Sequence, residues 1–162
     1  MIRTPSAVRD YDAFFSGDSA FEQPPVVDGD DRSALEAYQA KLTAMRETGD
    51  IAPLLIEGQT PTKFVLGQVD RTVWRAITDR AILPTDNPRH IGPVSMPALL
   101  FRLAVKSIAG LPPFKRQRDE HWDGWVMAPA SLVDQLDEID PRIVGEIGDI
   151  VFSRLRGVSP KS

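Results

Sequence analysis

Asp119, Glu120, His121, Trp122 and Asp123 stand consecutively in this chain. Three carboxylates beside an imidazole could share a proton or ligate a metal ion. Zinc and hard-cation sites, however, need three or more converging ligands. Neighbouring residues on a loop diverge unless something folds them together, and the only other histidine is His90. The plain reading is a solvated charged loop; a metal-dependent hydrolase built on His90, Asp119 and His121 is the sharper alternative. Just upstream, Lys115, Arg116, Gln117 and Arg118 precede Trp122 and Trp125. Cations interleaved with aromatics could pair phosphates and stack bases. Three basic residues are few for that task and two acids follow at once. The tryptophans then either pack the loop onto its own domain or seat a partner protein.

Other reaction chemistry lacks a setting. With no cysteine there is no thiol nucleophile, disulfide, thiolate zinc site or iron–sulfur cluster. No Gly-x-Ser-x-Gly elbow occurs, and two histidines leave few bases for a serine. Asp134, Asp137 and Glu138 have the spacing of an exposed helix face. No run of glycines cradles a phosphate. The expectation is a protein that is not an enzyme and uses no metal or other cofactor.

Composition bounds the remaining classes. The 162 residues are 42% hydrophobic and 26% charged, ordinary for one globular domain with a sizeable core. Proline is in excess, with 14 copies where usage of ~5% gives about 8, so extended connectors should be common. The formal charge of −4 argues against a surface devoted to nucleic acid, which needs a surplus of Lys and Arg. The acid is concentrated early: Arg3 and Arg9 face Asp10, Asp12, Asp18, Glu22, Asp28, Asp30 and Asp31. No basic segment leads into an apolar run, so no secretory leader is expected. The longest apolar stretch, 96–109, contains Arg102 and Lys106 and is too short for a bilayer; a soluble chain with no membrane partner is expected.

The elements that would position these residues follow from periodicity and punctuation. Residues 1–29 read as an extended N-terminal arm. Tyr11, Phe14, Phe15 and Phe21 lie among acids without a period of 2 or 3.6, and such aromatics would lie on the domain's own surface or be captured by a partner. Residues 30–162 read as one helical domain. Asp30 or Asp31 caps a helix over 32–48 with a stripe of Leu35, Tyr38, Leu42 and Met45. Strands at 52–57 and 62–66 flank Gly58-Gln59-Thr60-Pro61, predicting a β-hairpin near 52–67. Asp70 caps a helix over 71–82 carrying Trp74. Ser95 caps a very apolar helix over 96–109, ended by Gly110 and buried on most of its circumference. A short helix falls near 129–136. Asp140, Pro141 and Gly157 bound the last helix, where Arg154 and Arg156 complement the helix dipole. Gly145 and Gly148, three apart inside it, suggest close approach of another helix, since interior glycine costs about 1 kcal/mol against alanine. The fold class expected is mainly α with a small antiparallel β-hairpin (α+β), a single domain with an extended arm.

Leu55-Ile56-Glu57-Gly58, Phe64-Val65-Leu66 and Asp70-Arg71-Thr72-Val73-Trp74-Arg75 together resemble the start of small accessory proteins encoded among tailed-phage structural genes. There a short strand pair leads into a helix. Leu111-Pro112-Pro113-Phe114, the helix 143–156 and Ser159-Pro160 have the same character. The resemblance implies a non-enzymatic phage particle structural or assembly protein, a minor or cement-type virion component. Its alternatives are a tail-assembly chaperone and a small regulatory protein that inhibits a host target. It implies residence in the virion or the host cytoplasm and contacts with other virion or assembly proteins, a homo-oligomer being compatible with it. Phe14, Phe15 and Phe21, with Tyr11, would enter apolar grooves of that partner, and Trp122 and Trp125 would make a second contact. Removing residues 1–29 is then expected to abolish assembly and leave the helical domain folded.

Overall fold

A computed structural model describes residues 10–29 and 32–157; residues 1–9, the expected caps Asp30 and Asp31, and Ser159-Pro160 lie outside the described residues. The chain forms an α+β domain in the order β1 (Tyr11–Phe14), α1 (Ser33–Thr48), β2 (Lys63–Leu66), α2 (Arg71–Ala81), α3 (Ser95–Ala104), β3 (Val105–Ile108), β4 (Gln117–Asp119), β5 (Trp125–Met127), α4 (Ala130–Ile139) and α5 (Ile143–Leu155). Strands β1, β2 and β3 make one antiparallel sheet in that order, and β4 pairs with β5 in a second.

The cross-strand register places Tyr11 opposite Leu66 and Ala13 opposite Phe64. With Phe64 opposite Ile108, the alternation of side chains puts these residues on one face of the sheet. Against that face pack α3 and α5, and Phe64, Leu66, Leu100, Phe101, Ile147 and Val151 are buried to 2% exposure or less. Each such side chain contributes roughly 1.5–3 kcal/mol through apolar burial. A second, smaller cluster gathers Phe21, Tyr38, Met45 and Leu54, with Phe14, Leu42, Ile51 and Leu55 against it. It holds α1 through Tyr38, Leu42 and Met45 of the expected stripe.

Several boundaries follow local chemistry. The Asp70 carboxylate accepts from the N–H groups of Thr72 (2.8 Å) and Val73 (3.4 Å) and starts α2. Gly49, at φ +76°, closes α1 by donating to the Met45 carbonyl at 2.8 Å. The Asp140 carboxylate accepts from Arg142 N–H at 2.9 Å just ahead of α5. Gly148 lets α5 approach α3 closely, for a Cβ there would lie 2.6 Å from the Pro97 carbonyl carbon. Gly145 faces open space instead, so only one of the two glycines is required by packing.

Three expectations are corrected. The hairpin near 52–67 is not formed: residues 52–54 are a turn, and Leu55 makes a single bridge with Phe21. Leu54 drops into the second cluster, while β2 takes its partners from β1 and β3, distant in sequence. The strand pair in the phage resemblance is therefore absent; β2 and α2 remain. The small hairpin-like pair of this fold is β4–β5, which brackets one 3-10 turn at Glu120–Trp122.

The apolar run 96–109 is also not one helix. It turns into β3 after Ala104 because its last carbonyls find better partners elsewhere. Gly67 N–H reaches the Ala104 carbonyl (2.7 Å) and Ala128 N–H that of Arg102 (2.9 Å). The Arg116 guanidinium reaches the carbonyls of Leu103 (2.8 Å) and Val105 (2.6 Å). Groups that a helix end leaves unpaired are thus satisfied by other segments. Finally, residues 10–29 are not an arm laid over a finished domain. They supply β1 to the sheet, and Phe15 and Phe21 to its two apolar clusters.

Candidate functional site

The charged loop of the sequence is spent on structure. Asp119 accepts from Arg102 Nη2 (2.6 Å) and His121 N–H (3.0 Å), and the guanidinium holds its carboxyl below the usual aspartate value. Asp123 pairs with the buried Arg80 and with Arg89 (3.7 Å). Arg102 also donates to the Ala128 carbonyl at 2.8 Å. Arg116 is tied to backbone carbonyls, and burial lowers its pKa from the free arginine value. Among the described residues no three His, Asp or Glu side chains are placed to hold a metal ion.

The candidate site lies where β1 meets α5. Arg154, in the last turn of α5, stacks its guanidinium over the Tyr11 ring at 3.6 Å from the centroid, a close cation–π contact. Burial raises the Tyr11 phenol pKa, the Arg154 charge opposing it. Two hollows flank this stack. The smaller, about 240 Å³, is lined by Gly67, Val69, Val151 and Leu155. The larger, about 440 Å³, runs along β1 between α5 and the C-terminal turn of α1, within the ~300–1,000 Å³ usual for ligand clefts. Its apolar lining comes from Phe14, Met45, Ile51 and Ile150, and its acids are Asp12, Glu47, Glu146 and Asp149.

Glu146 latches the three elements together. Its carboxylate accepts from Ser16 N–H and Ser16 Oγ, both at 2.5 Å, and from Arg46 Nη2 at 3.1 Å. The turn that follows β1, the last turn of α1 and the first half of α5 are joined at one side chain. Glu146 has a coulombic influence as far as Tyr38, whose pKa is raised chiefly by burial and next by that charge.

Of the expected partner-binding residues, the structure brings Tyr11 and Phe14 to the groove. Phe14 also meets Phe21 edge to face at 6.2 Å. Phe15 and Phe21 are 6% and 1% exposed, so they cannot enter a partner's groove while the domain is folded; this corrects the expectation for both. Trp122 and Trp125 line neither hollow. They pack half-buried on the main core, Trp122 against His121 and Trp125 under Arg80. Sequence reasoning missed Glu146, Asp149, Ile150 and Arg154 as groove residues. Asp149, Ile150 and Arg154 stand three, four and eight positions after Glu146 along α5, a helical stripe visible in the sequence, but nothing local said that β1 would lie beside it.

Among the described residues no helix is long and apolar enough to cross a membrane. No family model, curated protein or solved structure matches this chain.

Proposed function

We infer that the protein acts by binding other proteins, as a small non-enzymatic structural or assembly subunit. The groove beside the Tyr11–Arg154 stack supports this reading: apolar side chains line it, exposed acids rim it, and its walls come from three elements fixed by Glu146. Interfaces combine such an apolar centre with a polar rim. The narrower form makes the chain a minor or cement-type component of a phage particle. That form rests on what remains of the resemblance, β2 leading towards α2 and the Leu111–Phe114 segment before the last helices.

Quantitative mass spectrometry of phage particles assembled with the wild-type chain, or with a Tyr11→Ala/Arg154→Ala variant shown to be folded, tests both forms. Many wild-type copies per particle and few of the variant are expected. A chain found only in the infected-cell lysate would instead be an assembly chaperone or an inhibitor of a host target. Equal incorporation of wild type and variant would remove the groove from the mechanism.

A further inference from the structure

β1 ends the three-stranded sheet, so one of its long edges has no strand partner among the described residues. No other backbone hydrogen bond among those residues involves Tyr11, Asp12, Ala13 or Phe14. The opposite end of the sheet differs, because Arg116 occupies the Val105 carbonyl of β3. All four β1 residues line the larger hollow, whose other walls are the α1 terminus and α5. An unpaired strand edge facing an apolar cleft is the geometry of strand addition, in which main-chain bonds give affinity and alternate side chains give specificity.

Charge selects the occupant. Arg46 is engaged by Glu146 and Arg154 by the Tyr11 ring. Asp12, Glu47 and Asp149 are exposed and form no ion pair among the described residues. The cleft therefore carries more acids than bases around an apolar floor, Asp12, Glu47, Glu146 and Asp149 against Arg46 and Arg154.

We propose that β1 accepts, as a fourth strand, an extended segment of a partner protein that carries apolar and basic side chains on both of its faces. Its apolar residues rest on Phe14, Met45 and Ile150, and its cations meet Asp12, Glu47 and Asp149. This rests on the reading of the protein as a binding subunit and specifies what it binds. At four residues, β1 offers a short pairing edge, which suits reversible capture.

The test uses the whole chain and an acetylated peptide of about eight residues built of lysine and valine in alternating pairs, so that each face carries both, followed by isothermal titration and by hydrogen exchange of the β1 amides. Binding that slows β1 exchange is expected. An Asp12→Lys/Asp149→Lys variant should weaken it by about tenfold or more, and a peptide N-methylated on the pairing edge should not bind. A peptide of glutamate and valine in the same paired pattern should reverse the preference, binding the variant better than the wild type. No binding of the lysine peptide, equal binding of the N-methylated peptide, or unchanged β1 exchange would each overturn strand addition. Failure here together with loss of the Tyr11→Ala/Arg154→Ala variant from particles would leave the binding-subunit reading intact and replace only its mode. Peptide binding with undiminished incorporation of that variant would do the reverse.

Discussion

Gly148 of α5 lies against the Pro97 backbone of α3, with a Cβ at Gly148 reaching 2.6 Å from the Pro97 carbonyl carbon. No flexible side chain stands between them, so neither can yield without moving a helix. Gly148→Ala should therefore destabilise the domain by about 1–3 kcal/mol or more, the usual range for overpacking. Gly145→Ala, on the same helix and facing open space, should be neutral or stabilising by up to about 1 kcal/mol. Urea denaturation should lower the midpoint of Gly148→Ala and leave that of Gly145→Ala unchanged or raised; equal shifts would show that α3 and α5 are not in close contact.

Arg116 donates to the carbonyls of Arg102, Leu103, Val105 and Val126 and so closes α3 where β3 begins. Arg116→Met should cost about 2–4 kcal/mol, since several charge-assisted bonds are lost and carbonyls are left unsatisfied. Arg116→Lys should recover only part of this, an ammonium having neither the planar fork nor its reach. Full recovery by lysine in thermal melts would mean that charge alone, rather than the fork, holds the helix end.

Acid should unfold the domain through two aspartates. Hydrogen bonds from the Arg142 side chain and backbone lower Asp140 from 3.8 to about 2; those from Arg102 and then His121 lower Asp119. The unfolded chain takes up these protons at higher pH than the fold does. The stability they contribute is present above the free aspartate value of about 4 and is lost as pH falls through the lowered values, about 2 for Asp140. Asp119→Asn should be the more damaging change, about 2–3 kcal/mol, because it strands Arg102, whose side chain is 11% exposed against 70% for Arg142. Urea midpoints followed from neutral pH into acid check both sign and window; a midpoint that rises on acidification would contradict them.

Ala13, Phe15, Ala20 and Phe21 belong to the core. Phe21→Ala should cost about 3–5 kcal/mol, and deletion of residues 1–29 should unfold the sheet and release α1. Circular dichroism of the truncated chain should show the loss. A truncated chain that melts like the full one would restore the reading of this segment as a detachable arm.

What could be read in advance was what neighbouring residues decide. The Asp70 cap, the Gly49 stop and the α1 stripe depend on groups within a few residues of each other, and α1 and α2 are where the spacing put them. Helix α5 starts at Ile143, beyond the expected cap Asp140 and first position Pro141, which form a turn ahead of it. What could not be read depends on distant partners. Nothing between Met96 and Ala109 marks Ala104 as a helix end; Gly67, Arg116 and Ala128 impose it. Leu54-Leu55-Ile56 has strand composition, but Leu54 is better buried with Phe21 and Tyr38. The candidate site shared this limit. Tyr11 and Phe14 stood out as aromatics among acids, yet their difference from Phe15 and Phe21 emerges only once β1 is paired and α5 laid beside it. Arg116 read as one cation in a basic run, and its task lies in the backbone of another element.

The sheet joins strands from three separated parts of the chain, and its last strand is a direct continuation of α3. That continuity bears on the order in which the molecule assembles. Pairing Tyr11 with Leu66, and Phe64 with Ile108, closes long loops, and each closure costs entropy before any contact rewards it. Docking of α3 on α5 brings β3 into place without a further search. If the edge strand β1 closes last, variants that weaken it should accelerate unfolding and leave the rate of folding nearly constant, which folding and unfolding rates measured across a urea series check.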